Sequence, residues 1–299
     1  MSLKPPKTFE EQLAILEERG LLVPDRAKAL RALQHANYFR LSCYHAPFLN
    51  PDEKTFRANV TFDAVWDIYR FDHRLRILLL DAIERCEVSF RTRWAYEIAH
   101  RHGPQAYENE ALHKVASRHQ EALLKTDEEI ERSREHFLAP YRGKETPRPP
   151  VWIVSEVMSL GQISTFYGNL RSPADRQAIA DAYEFDEKLL GSFLHHLTVV
   201  RNLCAHHSRC WNRLFSVKLQ LPRKKPAALL ASLHPAEPQR IYNTLIVLIW
   251  FLEVMEPQNQ WALRVKKLIE EQAFPVANHM GFPLDWKERP FWRLSSGNI

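Results

Sequence analysis

The sequence predicts an all-α protein, and three observations support this prediction. The 299 residues include only 8 glycines but 19 prolines, so tight hairpins are scarce while helices can be started and stopped sharply. Thr8 followed by an acidic turn is typical of a helix start. Apolar residues also recur at three- and four-residue steps over some forty positions in the first half of the chain.

The first 60 residues are predicted to form an additional N-terminal helical region, a hairpin followed by a loop. Thr8 is typical of an N-cap, Gly20 of a helix end, and Pro24 of the start of a second helix. Residues 38–62 then mix aromatic residues with proline and asparagine, which indicates an ordered loop or very short strands.

Residues 61–140 contain the longest predicted helix, which runs from about Thr61 to His102. Its buried face is expected to consist of apolar residues at helical spacing, namely Phe71, Leu75, Leu78, Leu79, Ala82, Cys86 and Phe90. A charged amphipathic helix follows over residues 112–138. The segment HFLAPYRGKETPRPP (136–150), rich in proline and charge, is interpreted as an interdomain linker.

Two pairs of opposite charges lie at the margin of that buried face. Asp72 and Arg76 stand four residues apart, as do Glu87 and Arg91, with the acid toward the N-terminus in each pair. They are either ordinary surface ion pairs, worth about 0.3–0.5 kcal/mol each, or groups that orient a neighbouring active site.

The C-terminal part, residues 141–299, is predicted to contain several helices. The most informative of them runs from Glu187 to about Phe215, and two more are expected over residues 238–255 and 261–273.

Two further segments of this part could contact RNA. The basic loop over residues 222–226 is either an RNA-backbone contact or simply solvated, and its cations are Arg223, Lys224 and Lys225. The aromatic tail over residues 282–294 is expected to cap the core, with base stacking as the alternative.

The charge balance suits a polyanionic partner without requiring one. Lysine and arginine total 41 against 36 acidic residues, which gives a formal net charge of +5. The four cysteines form no CxxC pair, as is typical of a reducing compartment. No signal peptide is recognised, and the longest apolar run, residues 245–252, is far shorter than the roughly 20 residues that span a bilayer. We expect a cytoplasmic protein without membrane association.

The most informative segment is HHLTVVRNLCAHHSRCWNR (195–213), within the predicted long helix. Projected at about 100° per residue, its polar residues fall in one arc of roughly 140°, which holds His195, Thr198, Arg201, Asn202, His206, Arg209 and Asn212. The opposite arc holds Phe193, Leu197, Val200, Leu203, Cys204, Trp211 and Leu214. The helix is therefore expected to pack on one side and to present cations, amides and imidazoles on the other. A phosphodiester substrate requires such a face, free of carboxylates.

These residue types can cleave RNA without a metal ion. Cleavage requires a group that takes the 2′-hydroxyl proton, a group that protonates the leaving 5′-oxygen, and positive charge on the phosphorane oxygens. A histidine exchanges protons near neutrality, and an arginine presents a planar fork to phosphate oxygens. On a helix Arg201 and His206 lie on adjacent turns and can address one phosphate, with Asn202 beside them. Because one helix provides few proton-transfer groups, a paired site across a two-fold axis is favoured.

The same segment resembles the R-x4-H motif of the HEPN superfamily of ribonucleases, with Arg201, a polar Asn202 and then His206. The longer string RNLCAHHSRCWNR resembles the signature of the Abi family of abortive-infection proteins, in its AbiD/AbiF-like branch. Residues 37–48, 69–93 and 150–170 resemble the remaining blocks of that family, in its order. The resemblance therefore covers most of the chain.

The resemblance implies a HEPN-like helical bundle and a homodimer that brings two R-x4-H helices together. It also implies RNA as the substrate, cleavage without a metal or cofactor, and a role in phage defence or toxin-like growth arrest. Arg201 and His206 are assigned to catalysis and Asn202 to their support. An antitoxin or a non-coding RNA remains open as a further partner. Supporting or RNA-contacting roles are expected for His195, Arg209, Asp72, Arg76, Glu87 and Arg91.

The same residues allow other interpretations. The polar face alone could line an interface between helices, and His195 is either a second proton-transfer group or a packed or capping residue. Cys204, His207 and Cys210 stand at three-residue spacing and could hold zinc, although they lack a fourth ligand nearby. A thiol nucleophile is disfavoured because Cys204 and His206 project about 160° apart on a helix. Finally, a HEPN fold can serve as a non-catalytic RNA-binding or protein-interaction scaffold.

Overall fold

A computed structural model of the chain describes residues 5–142, 147–224 and 226–293. Over these residues the regular secondary structure is helical, and β-type pairing is limited to isolated bridges. The predicted all-α fold class is therefore confirmed. The α-helices are, in chain order, α1 (Phe9–Glu18), α2 (Arg26–His35), α3 (Tyr38–Ser42), α4 (Phe62–His102), α5 (Ala116–Arg132), α6 (Val151–Val154), α7 (Leu160–Asn169), α8 (Pro173–Asp181), α9 (Glu187–Ala205), α10 (Ala227–Ser232), α11 (Ile241–Met255) and α12 (Trp261–Glu270).

The chain divides into two compact units. The first comprises the residues up to Arg76 together with Leu268–Val276, and the second comprises Ile77–Lys267 and the residues from Ala277 on. Helices α4 and α12 each contribute to both units. The segment 136–150, interpreted from the sequence as a linker, falls within the second unit, and its residues 143–146 lie outside the described part of the chain.

The N-terminal hairpin of the first unit forms as predicted. Thr8 caps α1 in a capping box, in which its Oγ1 accepts the Glu11 N–H at 3.1 Å and Glu11 Oε2 accepts the Thr8 N–H at 2.8 Å. Gly20 follows the end of α1 with a φ of +91°, a conformation that favours glycine. The next segment departs from the loop prediction, because residues 38–42 form the short helix α3, capped by Asn37. The asparagine before the aromatic stretch is the sequence signal for this helix.

Helix α4 has the length that the periodicity predicts. It runs from Phe62 to His102, and its 41 residues extend over about 60 Å at 1.5 Å per residue. Leu78 is half-buried, and the other residues of the predicted face are buried: Phe71, Leu75, Leu79, Ala82, Cys86 and Phe90. The helix ends before Gly103, which has a φ of +91°.

Helix α9 lies in the second unit, packed among other helices. Helix α7 packs against both α5 and α9, and α8 packs against α9. Helix α11 is buried along almost its whole length. Its Phe251 contacts Phe193 of α9 and also Tyr183, with ring centroids 4.5 and 4.6 Å apart. These apolar contacts occupy one side of α9, so its polar residues must lie on the other side.

Several helices are shorter than predicted. The segments 112–138, 238–255 and 261–273 contain α5, α11 and α12, each shortened at one or both ends. Apolar spacing continues for a few residues beyond the last helical turn, so periodicity alone overestimates helix length. The largest difference concerns the helix predicted from Glu187 to about Phe215, since α9 ends at Ala205. No helix among the described residues is both long and apolar enough to cross a bilayer.

The aromatic tail caps the core, as predicted. Trp286, Phe291 and Trp292 are buried, and the Trp286 and Trp292 ring centroids lie 5.1 Å apart. The remaining ring of the tail, Phe282, is half-buried, and Leu294 at the end of the predicted tail lies outside the described residues. In the basic loop Arg223 and Lys224 are exposed, while Lys225 also lies outside the described residues.

Candidate functional site

Helix α9 presents one polar face and buries the other. Asp186 caps its N-terminus by accepting two backbone N–H groups at 2.9 Å. The buried face consists of Leu190, Phe193, Leu194, His196, Leu197, Val200 and Cys204. On the other face His195, Arg201 and Asn202 are exposed and Thr198 is half-buried. The predicted polar face is therefore present as far as the helix extends.

The R-x4-H motif spans the C-terminal end of α9. The helix ends at Ala205, and His206 is its C-cap residue. The His206 N–H still donates to the carbonyl oxygen of Asn202 at 2.9 Å, so His206 keeps the helical register. His206 is exposed and continues the face on which Arg201 and Asn202 lie. All three residues of the motif are therefore presented on one side of the helix end.

The chain leaves α9 through a Schellman motif. The Ser208 N–H donates to the Leu203 oxygen at 2.8 Å, and the His207 N–H donates to the Cys204 oxygen at 3.1 Å. His207 occupies the left-handed position of this motif with a φ of 57°, a position that usually falls to glycine or asparagine. The prediction that the helix continues to about Phe215 is therefore wrong.

Packing of the residues after the helix explains why it stops. Cys210 and Trp211 are fully buried, and the Cys210 Sγ lies 3.6 Å from the Cys204 Sγ. The chain turns back after α9 and brings these side chains into the core. Leu214, predicted to lie in the buried arc, is instead 61% exposed. The apolar spacing of residues 204, 211 and 214 also fits a helix, so periodicity could not distinguish the two structures.

Two residues of the predicted polar arc lie beyond the helix. Arg209 is half-buried, and its carbonyl oxygen accepts a hydrogen bond from Arg213 Nη1 at 3.0 Å. Asn212 Oδ1 accepts a hydrogen bond from Arg240 Nη1 at 2.8 Å, which ties the returning chain to the residue before α11. The prediction that both share a helical face with Arg201 is therefore wrong, because that face ends at His206.

The motif arginine carries a charge that no carboxylate neutralises in the described part of the chain. Arg201 forms no salt bridge there, and its Nη1 reaches Asn202 Oδ1 only at 3.5 Å. Arg209 likewise has no acidic partner among the described residues. An exposed guanidinium that is not engaged by a carboxylate is free to bind the oxygens of a phosphate.

The histidine doublet within α9 divides between the core and the surface. His196 is buried, with Nδ1 2.9 Å from the Val217 oxygen and Nε2 2.8 Å from Thr244 Oγ1. Nδ1–H therefore donates to the carbonyl, and the threonine hydroxyl donates to Nε2. Burial lowers the pKa of His196 below its ordinary 6.5, so it is a neutral, structural histidine. His195, in contrast, is exposed on the polar face.

An open groove of about 770 Å³ begins beside His195. Helices α5, α7 and α9 contribute its walls, and its hydroxyl and amide groups belong to Ser159, Gln162, Ser164, Thr165 and Thr198. No pattern in the sequence had indicated this groove as a whole. The signal that could have indicated part of it is the capping box SLGQ at the start of α7, which fixes Ser159 and Gln162 together.

The two charged pairs of α4 are not surface pairs. In the first unit Asp72 is 0% and Arg76 5% exposed, and Asp72 Oδ2 accepts a hydrogen bond from the Tyr44 hydroxyl at 2.7 Å. In the second unit Glu87 and Arg91 form a largely buried ion pair, and Arg91 Nη1 also donates to a main-chain carbonyl at 3.2 Å. The interpretation as ordinary surface pairs is therefore wrong, while a role toward RNA stays a prediction.

The geometry does not support the alternative of a zinc site. Cys204, His207 and Cys210 would form one stripe only on a continuous helix, and α9 ends before two of them. Among the described residues no group of three or more His, Cys, Asp or Glu side chains is arranged to hold a metal ion. Cys204 and Cys210 are buried free cysteines in contact with each other, as expected of small core residues.

Comparison with known proteins assigns the chain to a family. A family model described as Abi-like protein matches residues 31–212, more than half of the 299 residues. The matched range contains the R-x4-H motif and both charged pairs of α4. No curated protein and no solved structure matches the chain. On the strength of the family match, the chain belongs to the family of Abi-like proteins.

Proposed function

We propose that this protein is a metal-independent endoribonuclease of the HEPN type that acts in abortive infection. The observation that carries the proposal is the exposed face at the end of α9, where Arg201, Asn202 and His206 lie in helical register. Arg201 has no carboxylate partner among the described residues, so its charge is available to a phosphodiester. Membership in the Abi-like family supports the role in defence.

The proposed reaction is an internal transfer of the phosphodiester. The ribose 2′-oxygen attacks the neighbouring phosphorus, and the bond from phosphorus to the 5′-oxygen breaks. An imidazole takes the 2′-hydroxyl proton as the base, and a protonated imidazole gives a proton to the leaving 5′-oxygen. The Arg201 guanidinium donates hydrogen bonds to the non-bridging oxygens as their negative charge grows. The products are a 2′,3′-cyclic phosphate and a 5′-hydroxyl.

This reaction needs two proton-transfer groups, and a second copy of the chain is the proposed source of the second. Each copy contributes one His206 at the exposed end of α9. A two-fold axis between two such ends would place both imidazoles at one phosphate. His195, exposed on the same face, is the alternative second group within one chain.

The test is RNA cleavage by the purified protein with a chelator present. The wild type is expected to cut RNA in EDTA and to leave ends with a 5′-hydroxyl and a cyclic phosphate. Arg201→Ala is expected to lower the rate by about 10²–10³, the usual cost of losing one stabilising donor to the oxyanion. Circular dichroism should show an unchanged fold, because Arg201 is exposed.

Three outcomes would contradict the proposal. Cleavage that stops in EDTA, or that leaves 5′-phosphate ends, would require a different chemistry. A stably folded wild type that binds RNA but cuts none would leave the protein as a non-catalytic binding scaffold.

A further inference from the structure

The groove beside α9 has the shape and chemistry of a binding site. Its volume of about 770 Å³ lies within the range of about 300–1,000 Å³ that buries a small organic molecule. Its lining combines hydroxyl, amide and imidazole groups with three charged residues of α5, which are the cations Arg118 and Lys125 and the carboxylate of Glu121. Among the described residues no phenylalanine, tyrosine or tryptophan lines it. Such a lining favours recognition by hydrogen bonds over stacking on aromatic rings.

Glycines line the groove on the sides of α7 and α9, and one of them faces open space. Gly161, Gly168 and Gly191 all line it. A Cβ atom at Gly161 would lie 3.2 Å from Thr198 Cγ2, so a side chain there would crowd the junction of the two helices. A Cβ atom at Gly168 would meet nothing within 4 Å, which marks that position as facing open space.

A nearly buried amide in the wall has an unused donor. Gln162 is 9% exposed, and its Oε1 accepts the Ser159 N–H at 2.7 Å in the capping box of α7. Within the described part of the chain its Nε2 forms no hydrogen bond. The capping bond fixes the orientation of the amide, so Nε2 is a positioned donor for an acceptor in the groove.

The two cations of the groove differ in how they are paired. Lys125 Nζ lies 2.7 Å from Glu121 Oε1, so its charge is largely offset by that carboxylate. Arg118 forms no salt bridge among the described residues, although Lys125 and, to a smaller extent, Arg118 lower the pKa of the Glu121 carboxyl. An arginine that no carboxylate contacts directly, beside hydroxyl and amide groups, suits a ligand that combines a phosphate with a polar base or sugar.

The groove leads directly to the motif. Thr198 lines the groove, and Arg201 and Asn202 stand one helical turn beyond it on the same face of α9. The axial distance from Thr198 to Arg201 is about 4.5 Å at 1.5 Å per residue. A ligand in the groove therefore lies next to the place where the proposed reaction occurs.

We propose that the groove formed by α5, α7 and α9 binds an unpaired nucleotide of the RNA, next to the phosphate held by Arg201. This inference rests on the proposed function. Arg118 binds the phosphate of that nucleotide, while Gln162 and the neighbouring hydroxyl groups bind its base edge and ribose. A duplex does not enter a groove of this size, so the substrate is single-stranded at the site of cleavage.

The test is RNA binding by the full-length protein carrying His206→Ala, which is expected to hold RNA without cutting it. Fluorescence anisotropy at one fixed salt concentration compares a labelled single strand of mixed sequence with the matching duplex. The single strand is expected to bind more tightly. Arg118→Gln should weaken its binding about tenfold, the order expected for one lost phosphate contact.

A matched pair at Gly168 tests the groove itself. Gly168→Trp fills the open space and is expected to weaken single-strand binding at least tenfold, while Gly168→Ala adds one methyl group and should bind normally. Arg93→Gln removes an exposed arginine that lies on α4 and does not line the groove, and it should also bind normally. Circular dichroism of each variant checks its fold.

The inference is overturned if the His206→Ala protein binds no RNA, if duplex RNA binds as tightly as single-stranded RNA, or if Gly168→Trp binds RNA as tightly as Gly168→Ala does.

The nuclease proposal and the groove proposal can fail separately. A wild type that cuts no RNA but binds single strands through the groove refutes only the nuclease. A wild type that cuts RNA through Arg201, with groove variants that bind and cut normally, refutes only the groove.

Discussion

Residues 187–205 and 206–215 share one pattern of apolar and polar residues but differ in structure. Both stretches alternate apolar residues with histidine, arginine and asparagine at helical spacing. The first forms α9, with its apolar side against α11 and its polar side exposed. The second turns back through a Schellman motif and buries Cys210 and Trp211. Spacing therefore fixes which residues share a face only while the chain remains helical, and tertiary packing decides where the helix stops.

This structural difference predicts its largest effect on the free energy of unfolding at Trp211. Trp211→Ala empties a fully buried site in the returning chain and is expected to lower the free energy of unfolding by about 3–5 kcal/mol. Leu214→Ala is the matched control, because Leu214 is 61% exposed and its loss should cost within about 0.5 kcal/mol. Urea unfolding followed by circular dichroism measures both. Equal losses would mean that Leu214 is buried, as on a continuous helix.

Much of the fold could be predicted from the sequence because it follows from local signals. The Thr8 capping box and the buried face of α4 depend on residues close together in the chain. The end of α9 could not be predicted in this way, since it depends on where Cys210 and Trp211 find space in the core. The groove was missed for the same reason, because its walls come from three separate helices.

The candidate site was predictable in part. Arg201, Asn202 and His206 lie on one exposed face because the helical register survives to the C-cap. Arg209 and Asn212 do not, because they follow the turn. The spacing of the charged pairs of α4 left open whether they are surface pairs or groups that orient a site, because spacing carries no information on how deeply a pair is buried.

A second prediction concerns the pH dependence of stability and the doublet His195 and His196. Burial lowers the pKa of His196 in the folded state, so the unfolded chain takes up a proton first as the pH falls below about 6.5. Stability should therefore decrease below that pH, by up to about 1.4 kcal/mol per pH unit for this histidine. His196→Gln should reduce the slope of the profile of melting temperature against pH without removing it, because burial also lowers the pKa values of His45 and His113 to about 4. His195→Gln retains His196 and should keep the wild-type profile. If His195→Gln changed the profile and His196→Gln did not, His195 would be the buried histidine and His196 the exposed one.

A smaller effect tests the turn after α9, because the sign of a stability difference between two variants shows whether residue 207 is helical. His207→Gly and His207→Ala both remove the imidazole, so their difference reports on the backbone. Because His207 has a φ of 57°, the glycine variant should be the more stable of the two by about 1 kcal/mol. If residue 207 were helical, alanine would be favoured by about the same amount. Thermal unfolding of the two variants side by side distinguishes these outcomes.

The proposed nuclease depends on His206, the histidine in helical register, for its chemistry, while the neighbouring His207 belongs to the turn. The most direct measurement is the rate of RNA cleavage in EDTA by His206→Ala and by His207→Asn, since asparagine tolerates the left-handed conformation. We expect a loss of at least about a hundredfold for His206→Ala and the wild-type rate for His207→Asn. Equal rates for His206→Ala and the wild type would show that His206 does not carry the chemistry.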